Sequence, residues 1–190
     1  MAISHHTFLF ADLVGFTALT ASRGDDHAAD VALDFHDRAR RLLPNHRAEE
    51  VKTIGDGLML RCHDPRLAIQ LGLRMVDDLE MIDGFPPVRV GMFTGPAVQR
   101  GQDWYGTTVN VAARLCAAAG GGDVLVGEAT ATAAGTLADV AFQDRRLHWL
   151  KNVTQPIPAR IATPRARSRF ERLRDRHCAH TPPRLREAMA

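Results

Sequence analysis

The residue pattern predicts an α+β domain: a ferredoxin-like βαββαβ core with additional α/β elements behind it. Three observations carry that expectation. An alternating, aromatic-rich stretch precedes a helical stripe. Two short apolar runs then meet at Gly55-Asp56-Gly57, and a second helical stripe leads into a further apolar run at Val88.

Taken in order, Thr7 to Ala11 alternates and ends at Asp12 as a strand, and Gly15-Phe16-Thr17 turns the chain toward helix. From Asp25 to Leu43, apolar residues recur at Ala28, Val31, Ala32, Phe35, Ala39 and Leu42 until Pro44 stops the stripe. Glu49 to Thr53 and Leu58 to Cys62 form a strand pair, because an Asp-Gly step between apolar runs supplies the positive φ a tight hairpin needs. Pro65 opens a largely buried helix that ends near Gly84. Val88 to Thr94 is a strand, Gly95 to Gly101 a glycine-bounded connector, and Gly106 to Ala119 a helix stopped by three glycines. Strands at Asp123 to Val126 and Val140 to Leu150 flank a short helix at Glu128 to Ala134, and Ile157 to Ala162 closes the sheet.

With 190 residues, 45% of them hydrophobic and 24% charged, the chain suits one domain with a sizeable core. The expected boundaries are residues 5–163 for the domain and 164–190 for a basic tail. From Arg165 onward eight Arg face three acidic residues, a net +5 that leaves −3 on the remainder of a chain whose total is +2. The tail has no interleaved aromatic platform, so nucleic acid is not expected as a partner. Three scattered cysteines give neither a disulfide framework nor metal spacing, and a cytoplasmic location is implied. No apolar run is long enough for a membrane span. The Ala and Arg bias points to a GC-rich, bacterial source.

Asp12 directly follows a strand and Asp56 sits at a hairpin tip. In a split β-α-β core the first strand lies beside the following hairpin, which lets the two carboxylates converge. Hard oxygen ligands of this kind suit Mg²⁺ or Mn²⁺ bound together with nucleotide phosphates. The alternatives are a helix cap for Asp12 and a plain turn residue for Asp56. Asn110 and Arg114 stand four apart on one face of a small, apolar helix, where Arg114 either holds a phosphate or closes an internal salt bridge. Of 24 basic residues only Lys52 and Lys151 are lysines. An ammonium is a compact single-point donor where guanidinium is a wide fork.

The stretches FADLVGFT, VKTIGDGLM and DWYGTTVNVAARL, in this order, resemble the class III nucleotide cyclase family in its catalytic domain. The resemblance runs from Thr7 to Thr163. It implies that Asp12 and Asp56 bind two divalent cations, Mg²⁺ or Mn²⁺. By the same resemblance Lys52 and Asp103 read the purine, Asn110 orients the ribose and Arg114 stabilises charge on the α-phosphate. Family members that use GTP carry Glu at the position of Lys52 and a small residue at that of Asp103, so this chain resembles an adenylate cyclase acting on ATP. Family members have Leu-Lys-Gly near the end of the domain; here Leu150-Lys151-Asn152 stands there, and Lys151 is either a phosphate ligand or a rim residue. The family builds each active site between two domains, which implies a head-to-tail homodimer. The rival readings are a guanylate cyclase and a catalytically silent nucleotide-binding regulatory partner. Gly121-Gly122-Asp123 reads as a turn entering a strand, and His177-Cys178-Ala179-His180 as solvated tail.

Overall fold

The computed structural model describes residues 5–165. Ten strands and five α-helices follow one another as β1 (His5–Leu13), α1 (Phe16–Arg23), α2 (Asp25–Leu42), β2 (Ala48–Ile54), β3 (Gly57–Cys62), α3 (Pro65–Glu80), β4 (Val88–Pro96), β5 (Val98–Arg100), β6 (Asp103–Tyr105), α4 (Thr107–Ala118), β7 (Val124–Gly127), α5 (Glu128–Ala134), β8 (Val140–Phe142), β9 (Arg146–His148) and β10 (Ile157–Pro164). The main sheet runs β2-β3-β1-β4-β7-β10-β8, with β9 on another stretch of β10. β1 is antiparallel to both β3 and β4, and β2 to β3. This is the order and direction of a βαββαβ core, extended by β7 parallel to β4 and by β10 antiparallel to β7.

Alternation along the strands sorts side chains to two faces. Leu9, Ala11 and Leu13 of β1 join Phe35, Ile69, Leu71, Met75, Val90 and Met92 in the principal core beneath α2 and α3. Phe8 of β1 and Met59 of β3 face the other side, where α4 covers them with Val109 and Ala112. Asp12 and Arg89 alternate onto this α4 side too. Helix α4 meets β4 at backbone distance: a Cβ on Gly91 would stand 1.9 Å from the Cys116 nitrogen, so only glycine fits. At the other end of the contact the Thr108 hydroxyl donates to the Pro96 carbonyl at 2.6 Å.

Three details differ from the sequence expectation. The connector after Thr94 holds a separate hairpin, β5–β6, in register Val98↔Tyr105 and Arg100↔Asp103. Val140 to Leu150 is not one strand but two, β8 and β9, with a break between them. Ile157–Pro164 lies inside the sheet between β7 and β8 instead of closing its edge. The tail and its His177–His180 stretch lie outside the described residues, apart from Pro164 at the end of β10 and Arg165. Among the described residues, no helix is long and apolar enough to cross a membrane.

Candidate active site

β1 and the β2–β3 hairpin bring two carboxylates together. Gly55, at φ 61°, and Asp56 make the turn between β2 and β3, and β1 pairs with β3 up to Ala11↔Leu58. Asp12 is the next residue of β1. A Cβ on Gly57 would stand 3.1 Å from the Ala11 carbonyl and 3.2 Å from Asp12 Oδ1, so the glycine keeps the floor of the turn open beside the carboxylate. Burial raises the Asp56 carboxyl above its ordinary range, and the charge of Asp12 raises it further. Asp12 does not cap α1, whose N-cap is Gly15 without a side-chain bond.

The sequence reading missed the counter-ion. Arg89, the direct cross-strand partner of Asp12 on β4, donates from Nε to Asp12 Oδ2 at 3.0 Å and from Nη2 to the same oxygen. Its Nη1 also reaches the Ala117 carbonyl at 3.3 Å, tying the site to the end of α4. Only the β1–β4 register could have found it, because 77 residues separate the pair.

Lys52 and Asp103 meet across two elements that share no ladder. Lys52 Nζ donates to Asp103 Oδ2 at 2.5 Å, both side chains being partly exposed. A β-bulge between Glu50 and Lys52 shifts the register of β2, so that Lys52 lies opposite Met59. The bond from Lys52 holds Asp103 below the usual carboxylate range, helped by the Trp104 N–H, which donates to Oδ1 at 2.8 Å.

Asn110 and Arg114 are exposed on the outer side of α4, whose inner side presents Val111, Ala112, Leu115 and Cys116 to the sheet. Among the described residues neither side chain has a hydrogen-bond or ion-pair partner, so the internal salt bridge does not form. Lys151 is exposed in the turn after β9, and Asn152 beside it takes φ 61°, the left-handed conformation asparagine tolerates. Cys62 and Cys116 are free, and burial pushes both thiols up to about 12, which leaves them unreactive.

The donor set at Asp12 and Asp56 suits a small hard cation. Among the described residues no group of three or more His, Cys, Asp or Glu could cage a metal. Two carboxylates with the remaining positions left to water and phosphate is how Mg²⁺ is commonly held. Burial and, after it, the Asp12 charge raise the Asp56 carboxyl, and a bound cation would offset both.

Residues 2–152 match the model of the adenylate and guanylate cyclase catalytic domain. The chain is 39% identical over 132 residues to the pH-sensitive adenylate cyclase MT1302 of Mycobacterium tuberculosis, an alignment covering 68% of this chain and 32% of that protein. It spans about a third of the length of the curated relatives it matches. Among solved structures, it superposes on an adenylate cyclase from Trypanosoma brucei in its monomeric state with TM-score 0.72 at 24% identity, covering 85% of this chain and 94% of that one. The guanylate cyclase domain of RhGC from Catenaria anguillulae, in complex with GTP, superposes with TM-score 0.76 at 16% identity, covering 86% and 98%. Three motifs in register, the sheet order and the matched domain agree: the chain belongs to the adenylate and guanylate cyclase catalytic domain family.

Proposed function

We propose that this chain is an adenylate cyclase, converting ATP to 3′,5′-cyclic AMP and pyrophosphate, with each active site shared between two copies in a head-to-tail homodimer. The observation that carries the reading is the Lys52–Asp103 pair, a single-point donor set beside an acceptor. Adenine offers a ring-nitrogen acceptor at N1 and an amino donor at N6, which this pair complements. Guanine offers a carbonyl and a ring N–H there, and each unmatched buried group costs about 1–3 kcal/mol. Two relatives that are named adenylate cyclases, at 39% and 36% identity, support the same base.

Asp12 and Asp56 of one protomer hold two divalent cations, Mg²⁺ or Mn²⁺. Bound there, the ions supply the positive charge that acidifies the ribose 3′-hydroxyl and neutralises the departing pyrophosphate. The partner contributes Lys52 and Asp103 to fix the base, Asn110 to orient the ribose and Arg114 to stabilise charge on the α-phosphate oxygens. Lys151 reaches the phosphates. The 3′-oxygen forms its bond to the α-phosphorus as the bond to the bridging oxygen breaks; the hydroxyl proton passes to solvent and pyrophosphate takes the electron pair. Positioning and electrostatics do most of this work. The outward aim of Asn110 and Arg114 supports the shared site, since each needs a second chain to bring carboxylates and phosphates to it.

The test is product formation by the purified chain from ATP or GTP, in Mn²⁺ and in Mg²⁺, over a protein dilution series. Cyclic AMP with specific activity falling on dilution is the expected result. Preferential cyclic GMP would refute the base assignment, and specific activity constant down to a verified monomer would refute the shared site.

A further inference from the structure

Asp103 rides on a hairpin that forms its own two-stranded sheet, so strand pairing does not set its distance from Lys52. Trp104 does. Its indole enters the apolar cluster of Phe8, Met59, Val109 and Ala112 beneath α4. The ring lies 5.6 Å from that of Phe8 and 4.5 Å from that of His6. Against it stands the Arg61 guanidinium, 4.8 Å from the ring centroid.

Arg61 is an unusual residue for this place. It projects from β3, the strand next to the β2 edge of the main sheet, with a side chain only 11% exposed. Nη2 donates to Glu49 Oε2 at 2.7 Å, Nη1 lies 3.2 Å from His6 Nδ1, and Nε is buried without a partner. Burial and the Arg61 charge lower the His6 pKa, which keeps its ring neutral against the guanidinium. Fold stability does not explain a buried cation with an orphaned nitrogen, because an apolar side chain of similar volume commonly does as well or better there. The guanidinium does what an apolar chain cannot: it attracts the indole face and anchors a carboxylate at the same time. Through Glu49 it grips β2 just ahead of the bulge that aims Lys52, and through Trp104 it grips the residue after Asp103.

We propose that Arg61 is a positioning residue for base recognition, clamping Glu49 and Trp104 so that Lys52 and Asp103 stay in hydrogen-bonding register. This rests on the assignment of Lys52 and Asp103 as the base-reading pair. Arg61 makes no hydrogen bond or ion pair with Asp12, Asp56 or Arg89, so its loss loosens base choice and leaves the phosphate chemistry intact.

The experiment compares the full chain with Arg61→Met and Arg61→Lys, measuring KM and kcat for ATP and GTP. Without nucleotide, the Asp103 carboxyl is titrated by NMR. Arg61→Met is expected to raise KM for ATP about tenfold with kcat within about twofold, and to cut the ATP-over-GTP preference about tenfold. Asp103 should titrate nearer the ordinary carboxylate range as its lysine drifts away, and Arg61→Lys should recover part of each effect. Folded Arg61→Met with unchanged Asp103 titration and unchanged base preference overturns the proposal, whatever happens to kcat. A shifted Asp103 titration with unchanged base preference overturns instead the assignment of the pair to the base, and the specificity role of Arg61 with it. Trp104→Leu carries the same readouts if Arg61→Met does not fold.

Discussion

Asp12 and Arg89 face each other across the β1–β4 ladder, and the guanidinium donates twice to one carboxylate oxygen. The free chain therefore pairs one of its two clustered carboxylates with an internal cation, while burial and, after it, the Asp12 charge raise Asp56. Removing that cation disfavours the ionised form of the remaining group. In Arg89→Met the Asp56 carboxyl should titrate at higher pH than in the parent, read by carboxyl NMR in metal-free buffer. A downward or absent shift would mean that Arg89 does not shape the field at the turn.

The raised carboxyl of Asp56 also has a stability sign. The folded chain holds the Asp56 proton to higher pH than the unfolded chain does, so its ionisation costs stability as pH rises through the elevated value. Asp56→Asn removes that cost. We expect its melting temperature at pH 7.5, without metal, to rise by about 3 °C, while cyclase activity falls by about 100-fold or more. Gain of stability with loss of function separates a binding carboxylate from a plain turn residue.

The proposed shared site makes a stoichiometric prediction. Asp12→Ala and Arg114→Ala should each be inactive alone, because each spoils both sites of its own homodimer. Random pairing of the two gives half heterodimers with one intact site each, about a quarter of the parent activity. Mass spectrometry of the mixed dimers verifies exchange, and no recovery despite exchange rules out the shared site.

Two buried histidines should start the loss of stability in acid. Burial lowers the pKa of His6 and of His36, and in both cases a neighbouring arginine, Arg61 and Arg40 respectively, adds to the effect. The unfolded chain binds these protons more readily, so the stability they contribute is complete above the ordinary histidine value and is lost as pH falls below about 6.5. Thermal melts should be flat between pH 7 and 8 and fall from pH 6.5 to 5.5. His6→Phe should flatten part of that slope.

The contact at Gly91 admits no side chain. A methyl group there would enter the backbone of α4 at Leu115 and Cys116, so strand or helix would have to shift. Gly91→Ala should destabilise by about 3 kcal/mol, measured by urea unfolding. Gly101→Ala makes a useful comparison, since nothing lies within 4 Å of its Cβ position and only the φ of 61° opposes it.

The parts legible in the sequence were those whose causes are local. The Asp-Gly turn, Pro65 at the start of α3 and the span Glu128–Ala134 all follow from adjacent residues, and the βαββαβ order follows from them. What was not legible depends on tertiary partners. β5 and β6 are three residues each, and Trp104 packing, not strand propensity, holds them in place. Asp12 and Asp56 stand out at a strand end and a hairpin tip, but Arg89 needed the β1–β4 register. Arg61 carries no signal of its own in the sequence, because its partner Trp104 comes from the distant β5–β6 hairpin.

β2 is the last strand on its side of the sheet, with backbone groups open to any passing chain. The irregularity that brings Lys52 to Asp103 breaks the even spacing that an incoming strand would have to match. Glu49, Glu50 and Lys52 crowd the same edge with charge. The bulge that brings Lys52 to Asp103 therefore also guards against edge-to-edge aggregation. Straightening the bulge by deleting Val51 should be visible first in light scattering, as a loss of colloidal stability, whatever it does to turnover.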